Sequence, residues 1–180
     1  MFTLDIEEDL SLALVQPSFA SQYFAIVSAE QDALSQWLAW PPHADGEEFF
    51  SQFIQQALHD YADGKSLTCA IVYRGQIVGN VGFNHINKAL KKAEIGYWLS
   101  ARYQGLGIVS KSVRVLIGLA FEELNLENVL IFAAEGNWPS RRVCERLGFT
   151  LEGIITGAEN IKGRLFDHAA YTLNVSDWRK

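Results

Sequence analysis

The chain has 180 residues, 49% of them hydrophobic, and 15 Lys and Arg against 21 Asp and Glu leave a net charge of −6. That length suits one domain, residues 1–180, large enough to bury a core without disulfide or metal staples. A charged fraction of 20% with 5 Trp, 6 Tyr and 11 Phe excludes a disordered chain, and the acidic balance argues against a nucleic-acid partner. Cys69 and Cys144 are too few for a disulfide framework and lack metal-ligand spacing, as do His43, His59, His85 and His168. No metal site is expected, and a reduced, cytoplasmic setting is. The acidic start, Met1 to Asp9, lacks the basic and apolar regions of a signal peptide. The longest apolar run, Val129 to Ala134, falls far short of the ~20 residues of a membrane span, so no membrane partner is expected.

No linker, repeat or low-complexity tract divides the chain. Apolar residues at spacings of three and four predict helices over Ser18 to Trp40 and Asp45 to Asp63. Pro41 and Pro42 end the first, and Gly64 stops the second. The period then shortens: Leu67 to Tyr73 and Gln76 to Asn84 read as strands joined by a hairpin at Arg74-Gly75. A third strand, Ala93 to Leu99, carries Glu94, Gly96 and Trp98 on one face. A glycine-containing turn leads into a helix from Ile108 to Leu124. Val129 to Ala134 is a continuously apolar strand, the kind buried on both faces. A short helix from Ser140 to Leu147 closes at Gly148. Two last strands, Thr150 to Thr156 and Phe166 to Asn174, flank a turn around Asn160 to Gly163. The order predicts a mixed α/β sheet.

The segment Gln104-Gly105-Leu106-Gly107-Ile108-Val109-Ser110 joins a strand to the long helix. Glycines there let the backbone approach a ligand, and the free N–H groups of the helix favour an anion. A tight turn with no ligand accounts for the same residues. A dinucleotide fingerprint needs a glycine where Ser110 stands, and a P-loop needs one there ahead of Lys111-Ser112. Neither nucleotide motif closes.

Gln104-x-x-Gly107 after an apolar strand resembles the acetyl-coenzyme A pyrophosphate loop of the GNAT acetyltransferase superfamily. Asn137-x-x-Ser140-x-x-Val143-x-Glu145-Arg146-Leu147-Gly148-Phe149 resembles its second signature, an Asn before a short helix that ends in Gly-Phe. Trp37 to Pro41, Ala93 to Leu99 and Phe149 to Gly153 are similar to the Rim branch, which acetylates N-termini of ribosomal proteins, and the serine-directed member fits best. The resemblance covers most of residues 10–175. It implies the GNAT fold, a twisted mixed sheet of about seven strands with helices on both faces, splayed where the cofactor enters. Acetyl-coenzyme A would be the co-substrate, held by Leu99, Gln104, Gly105, Leu106, Gly107, Ile108, Val109, Ser110 and Asn137. The implied acceptor is a protein N-terminal amine, ribosomal by analogy, and the implied assembly is a homodimer. Val109 departs from the usual Gly or Ala, and Cys144 stands where many relatives carry an acidic Tyr.

The chemistry needs a neutral amine and a stabilised thiolate. An α-amine of pKa ~7.7–8.0 costs only about 0.5 kcal/mol to deprotonate near pH 7.5, against about 4 kcal/mol for a lysine. A modest or water-mediated base therefore suffices. The resemblance assigns that base to Glu159, otherwise a solvated residue near a turn, with the strand carboxylate Glu94 as rival. It assigns Ser140 as the group that assists the departing thiolate; read alone, Ser140 is an N-cap. With no Cys or Ser in a nucleophile motif, direct attack in a ternary complex is expected. Two other readings fit the same residues: a small-molecule amine acetyltransferase acting on a polyamine or antibiotic, and an acyl-coenzyme A binding module without turnover. Trp37, Trp40 and Phe83 read as core or interface aromatics, with an acceptor-pocket wall as the alternative.

Overall fold

The structure, a computed structural model, describes residues 2–178. It opens on two strands that the hydrophobic pattern did not predict, β1 (Thr3–Glu7) and β2 (Leu10–Leu14). In β2, Leu10 and Leu12 enter one core and Ala13 the other. Helix α1 (Ala20–Ala29) follows, then a single turn α2 (Gln31–Leu34). The helix predicted to reach Trp40 thus breaks at Glu30, whose backbone leaves the helical region at φ −123°, ψ 22°. Helix α3 (Glu47–Ala62) buries Phe50, Ile54 and Ala57 of its apolar stripe, while Phe53 and Tyr61 on the same stripe stay exposed.

Strands β3 (Leu67–Tyr73) and β4 (Gln76–Asn87) meet at Arg74 and Gly75, with φ of 51° and 75°. Two left-handed residues in succession form the tight turn whose twist matches the flanking strands. Then come β5 (Lys92–Leu99), α4 (Ile108–Gly118) with one wider π turn over Leu119–Glu123, and β6 (Asn128–Ala134). Helix α5 (Trp138–Arg146), β7 (Thr150–Ile161), β8 (Arg164–Asn174) and α6 (Val175–Trp178) complete the chain. The last hairpin is longer than predicted and turns on Lys162 and Gly163, again both at positive φ.

The strands form one sheet in the order β1-β2-β3-β4-β5-β6-β8-β7: eight strands, against the six of the sequence pattern, which lacks β1 and β2, and the seven or so that the resemblance implies. Every pairing is antiparallel except β5 with β6. The two faces bury separate cores. Ile95, Leu99, Val113, Leu116, Val143 and Tyr171 pack on the α4/α5 face, and Tyr23, Phe50, Ile54 and Ala70 on the α1/α3 face. Among the described residues, no helix is long and apolar enough to cross a membrane.

Candidate active site

The parallel pair β5–β6 carries the site. Its ladder has three rungs, ending with Glu94 opposite Leu130. Beyond that rung β5 stays paired with β4 as far as Leu99, while β6 stays paired with β8 as far as Ala134. The two strands therefore part in mid-sheet, leaving unpaired backbone groups along β5, an arrangement that a ligand with amide groups can satisfy.

The glycine loop stands at the open end of that gap. Gly105 and Gly107 have φ of 79° and 75°, left-handed values that a side chain resists. A Cβ on Gly105 would meet nothing within 4 Å, and one on Gly107 only the end of Lys111 at 3.9 Å. Packing does not demand these glycines; turn conformation and open space for a ligand do. Gly107 is the N-cap of α4 and supplies no side-chain acceptor, so the first N–H groups of the helix, those of Ile108, Val109 and Ser110, lack intrahelical partners. Their dipoles favour an anion in front of them. Gln104, Gly105 and Leu106 are exposed there. The side chain of Ile108 is buried, as is Leu99 at the end of β5, so both could serve a ligand only through backbone groups.

Glu30 was not singled out in the sequence, yet it fixes this loop. Its carboxylate accepts from Ser100 Oγ at 2.7 Å and from the Ala101 N–H at 2.7 Å, bracing the turn just ahead of Gln104. The helix break at Glu30 is what releases it to do so. A long-range hydrogen bond of this kind leaves no local sequence signal.

On the α4/α5 face, Asn137 Oδ1 accepts from the Ser140 N–H at 3.3 Å. Helix α5 thus begins at Trp138, two positions before the predicted start, and Asn137 rather than Ser140 is its N-cap. Asn137→Ala should cost about 1 kcal/mol and lower the thermal midpoint by roughly 2–4 °C, readable by calorimetry. The freed Ser140 Oγ lies 2.8 Å from the hydroxyl of Tyr97, on β5. Burial pushes the Tyr97 phenol pKa well above its usual value, so it stays protonated. Cys144 adjoins the same phenol, and burial pushes its thiol up to about 12; Cys69 is likewise pushed up to about 12. Both thiols should resist alkylation at pH 8 in the native protein and react in denaturant, a difference that mass spectrometry counts directly.

On the opposite face, Trp98 packs edge-on to Tyr23 of α1, which places Glu94 and Gly96 on the same side, as the alternation predicted. Glu94 accepts from Asn84 Nδ2 at 3.1 Å. Glu159 of β7 lies 3.1 Å from His168 Nε2 of β8, an interaction that the spacing of the histidines had not suggested. A bulge in β7 between Ile155 and Glu159 produces it, anchored by the Gly157 N–H donating to Asp167 Oδ1 at 2.8 Å. Phe166, two residues from His168 and so on its face, meets the edge of Trp37 at a centroid distance of 6.3 Å. Trp37 also covers Gly136, where a Cβ would touch the indole at 3.4 Å. Trp40 stacks with Phe49 and packs, partly buried, against the α1/α3 core, and Phe83 is buried in the other core. Among the described residues, no three His, Cys, Asp or Glu side chains gather closely enough to hold a metal ion.

The chain matches the acetyltransferase (GNAT) domain model over residues 10–150. It is 30% identical over 157 residues to the ribosomal-protein-serine acetyltransferase of Escherichia coli, covering 87% of this chain and 88% of that one. Among solved structures it superposes on RimL, a ribosomal L7/L12 alpha-N-protein acetyltransferase in complex with coenzyme A, with a TM-score of 0.93 at 26% identity, covering 98% of this chain and 99% of that one. The microcin C7 self-immunity acetyltransferase MccE, in complex with acetyl-CoA and AMP, gives a TM-score of 0.90 at 29% identity, covering 94% of each chain. The glycine loop before α4, the parted strands β5 and β6 and the Asn-capped α5 are parts of one family fold: this chain belongs to the GNAT acetyltransferases.

Proposed function

We propose that this chain, as one catalytic domain, transfers acetyl from acetyl-coenzyme A to the N-terminal α-amine of a ribosomal protein by direct attack in a ternary complex. The observation that supports the reading is a pair of polar contacts on opposite faces of the sheet: Tyr97–Ser140 on the α5 side, and Glu159–His168 on the side of Trp37. The names of the similar proteins supply the acceptor class. The residues fit the co-substrate: left-handed glycines with open space, free helix N–H groups, and unpaired strand backbone. Bound there, acetyl-coenzyme A supplies an activated acyl group as a thioester.

The remaining work falls to the side chains. N–H groups of the segment Gln104 to Ser110 hold the pyrophosphate, and Leu99 backbone and the Asn137 amide orient the pantetheine arm. Glu159 takes the amine proton through a water, and Ser140 donates to the departing thiolate, whose conjugate acid has a pKa of roughly 8.5. Both cysteines are buried with thiols pushed up to about 12, so neither is a ready nucleophile, which favours direct attack over an acylated enzyme.

Peptides copying ribosomal-protein N-termini, assayed beside spermidine and an aminoglycoside, test the acceptor. Turnover of the peptides is expected; turnover confined to the small amines overturns the protein-substrate reading. Glu159→Gln should slow peptide turnover at pH 7 and recover as pH rises past 8, where the α-amine, pKa ~7.7–8.0, deprotonates itself. A loss that stays constant across that range, with Glu94→Gln showing the recovery instead, moves the base to Glu94.

A further inference from the structure

The Tyr97 hydroxyl has two oxygen acceptors within reach, Ser140 Oγ at 2.8 Å and the Ser140 carbonyl at 3.4 Å, with the weakly accepting Cys144 sulfur beside them. A partly buried phenol wedged against Ser140 places its proton on the nearer acceptor, and 2.8 Å is the ordinary O–H···O separation whereas 3.4 Å is long. Ser140 carries one hydroxyl proton and two lone pairs. If Ser140 donated to Tyr97, its single proton would be turned away from the strand gap. If Tyr97 donates, the Ser140 proton is free for another acceptor, and the hydroxyl becomes a better donor because the two hydrogen bonds polarise each other. The backbone is fixed independently, since Asn137 caps the Ser140 N–H. A hydroxyl rotates freely about its C–O bond, so one partner on a rigid strand suffices to set its direction.

We infer that Tyr97 is a positioning residue: its hydroxyl donates to Ser140 Oγ and thereby aims the Ser140 proton into the gap between β5 and β6, toward the developing thiolate. The inference rests on the role proposed above for Ser140. No proton leaves the Tyr97 hydroxyl; with its pKa raised by burial, it acts as a fixed donor throughout the reaction.

The test is a double-mutant cycle on Tyr97→Phe, Ser140→Ala and the pair, each characterised by urea unfolding, coenzyme A titration and steady-state kinetics. Phenylalanine keeps the ring in its packing and removes only the hydroxyl. Tyr97→Phe should lower kcat roughly fivefold to tenfold, the scale of one neutral hydrogen bond, with coenzyme A affinity within about twofold. In the Ser140→Ala background the same change should lower kcat no further, because the hydroxyl it aims is gone. Urea unfolding should show the two substitutions to be non-additive, as expected for a direct contact, without any turnover being measured. An equal loss in both backgrounds, additive unfolding energies, or Tyr97→Phe at full kcat while Ser140→Ala is impaired overturns the Tyr97 proposal alone. Ser140→Ala at full kcat overturns the reading of Ser140 on which it rests.

Discussion

Gly107→Val should bind acetyl-coenzyme A more weakly by a factor on the order of 100 or more, a loss of about 2.7 kcal/mol, while circular dichroism shows the fold intact. The added side chain meets no protein wall: an ideal Cβ finds only Lys111 Cε, at 3.9 Å. What it enters is the space in front of the α4 N–H groups, where a pyrophosphate must come close. Valine also resists φ of 75°, and that strain costs roughly 1–2 kcal/mol of stability whatever binds. Gly107→Asn separates the two effects, because asparagine tolerates the left-handed region yet still fills the approach. Asparagine should restore most of the thermal stability and little of the affinity. Isothermal titration with acetyl-coenzyme A reads the affinity. Normal binding by the asparagine variant would show that Gly107 serves the turn and not the phosphate.

Local patterns gave away the half of the molecule that builds the cofactor end. Arg74-Gly75, the α4 stripe and the apolar β6 depend on near neighbours in sequence, and they lie where the pattern put them. Strands β1 and β2 escaped although Thr3–Glu7 alternates polar with apolar residues and Leu10–Leu14 carries leucine at every second position: the acidic residues of β1 read as a solvated start. The break at Glu30 escaped for a different reason: its driving contacts, Ser100 and Ala101, lie 70 and 71 residues away. The same holds inside the site. Asn137 and Ser140 were legible as a motif, but their division of labour follows from the helix beginning at Trp138, with Pro139 in its first turn. Tyr97 lies 43 residues from Ser140 and reads in sequence as one more aromatic on a strand. His168 meets Glu159 only because a bulge shifts the β7–β8 register, and a bulge has no strong signature in a single sequence.

Ser140→Ala should cut kcat by ~10²–10⁴-fold, the usual scale for a positioned proton donor, with the affinity for acetyl-coenzyme A little changed. The structure sharpens this test by removing the competing explanation. An N-cap serine replaced by alanine would lose about 1 kcal/mol of stability and leave turnover intact, but here the Asn137 side chain fills the cap and survives the substitution. The stability change has another source: the Tyr97 hydroxyl loses its acceptor at 2.8 Å and keeps the carbonyl at 3.4 Å and the weakly accepting Cys144 sulfur. Those weaker bonds predict a loss of about 1 kcal/mol in urea unfolding, far too small to account for the drop in kcat. The loss should exceed that of Glu159→Gln at every pH above neutrality, because the α-amine sheds its own proton there while the thiolate gains no substitute donor. A pH–rate series on the two variants therefore gives curves that diverge with rising pH, Glu159→Gln climbing toward the parent enzyme and Ser140→Ala remaining low. Curves that run parallel would place both residues in the same step and defeat the division of roles between the two faces of the gap.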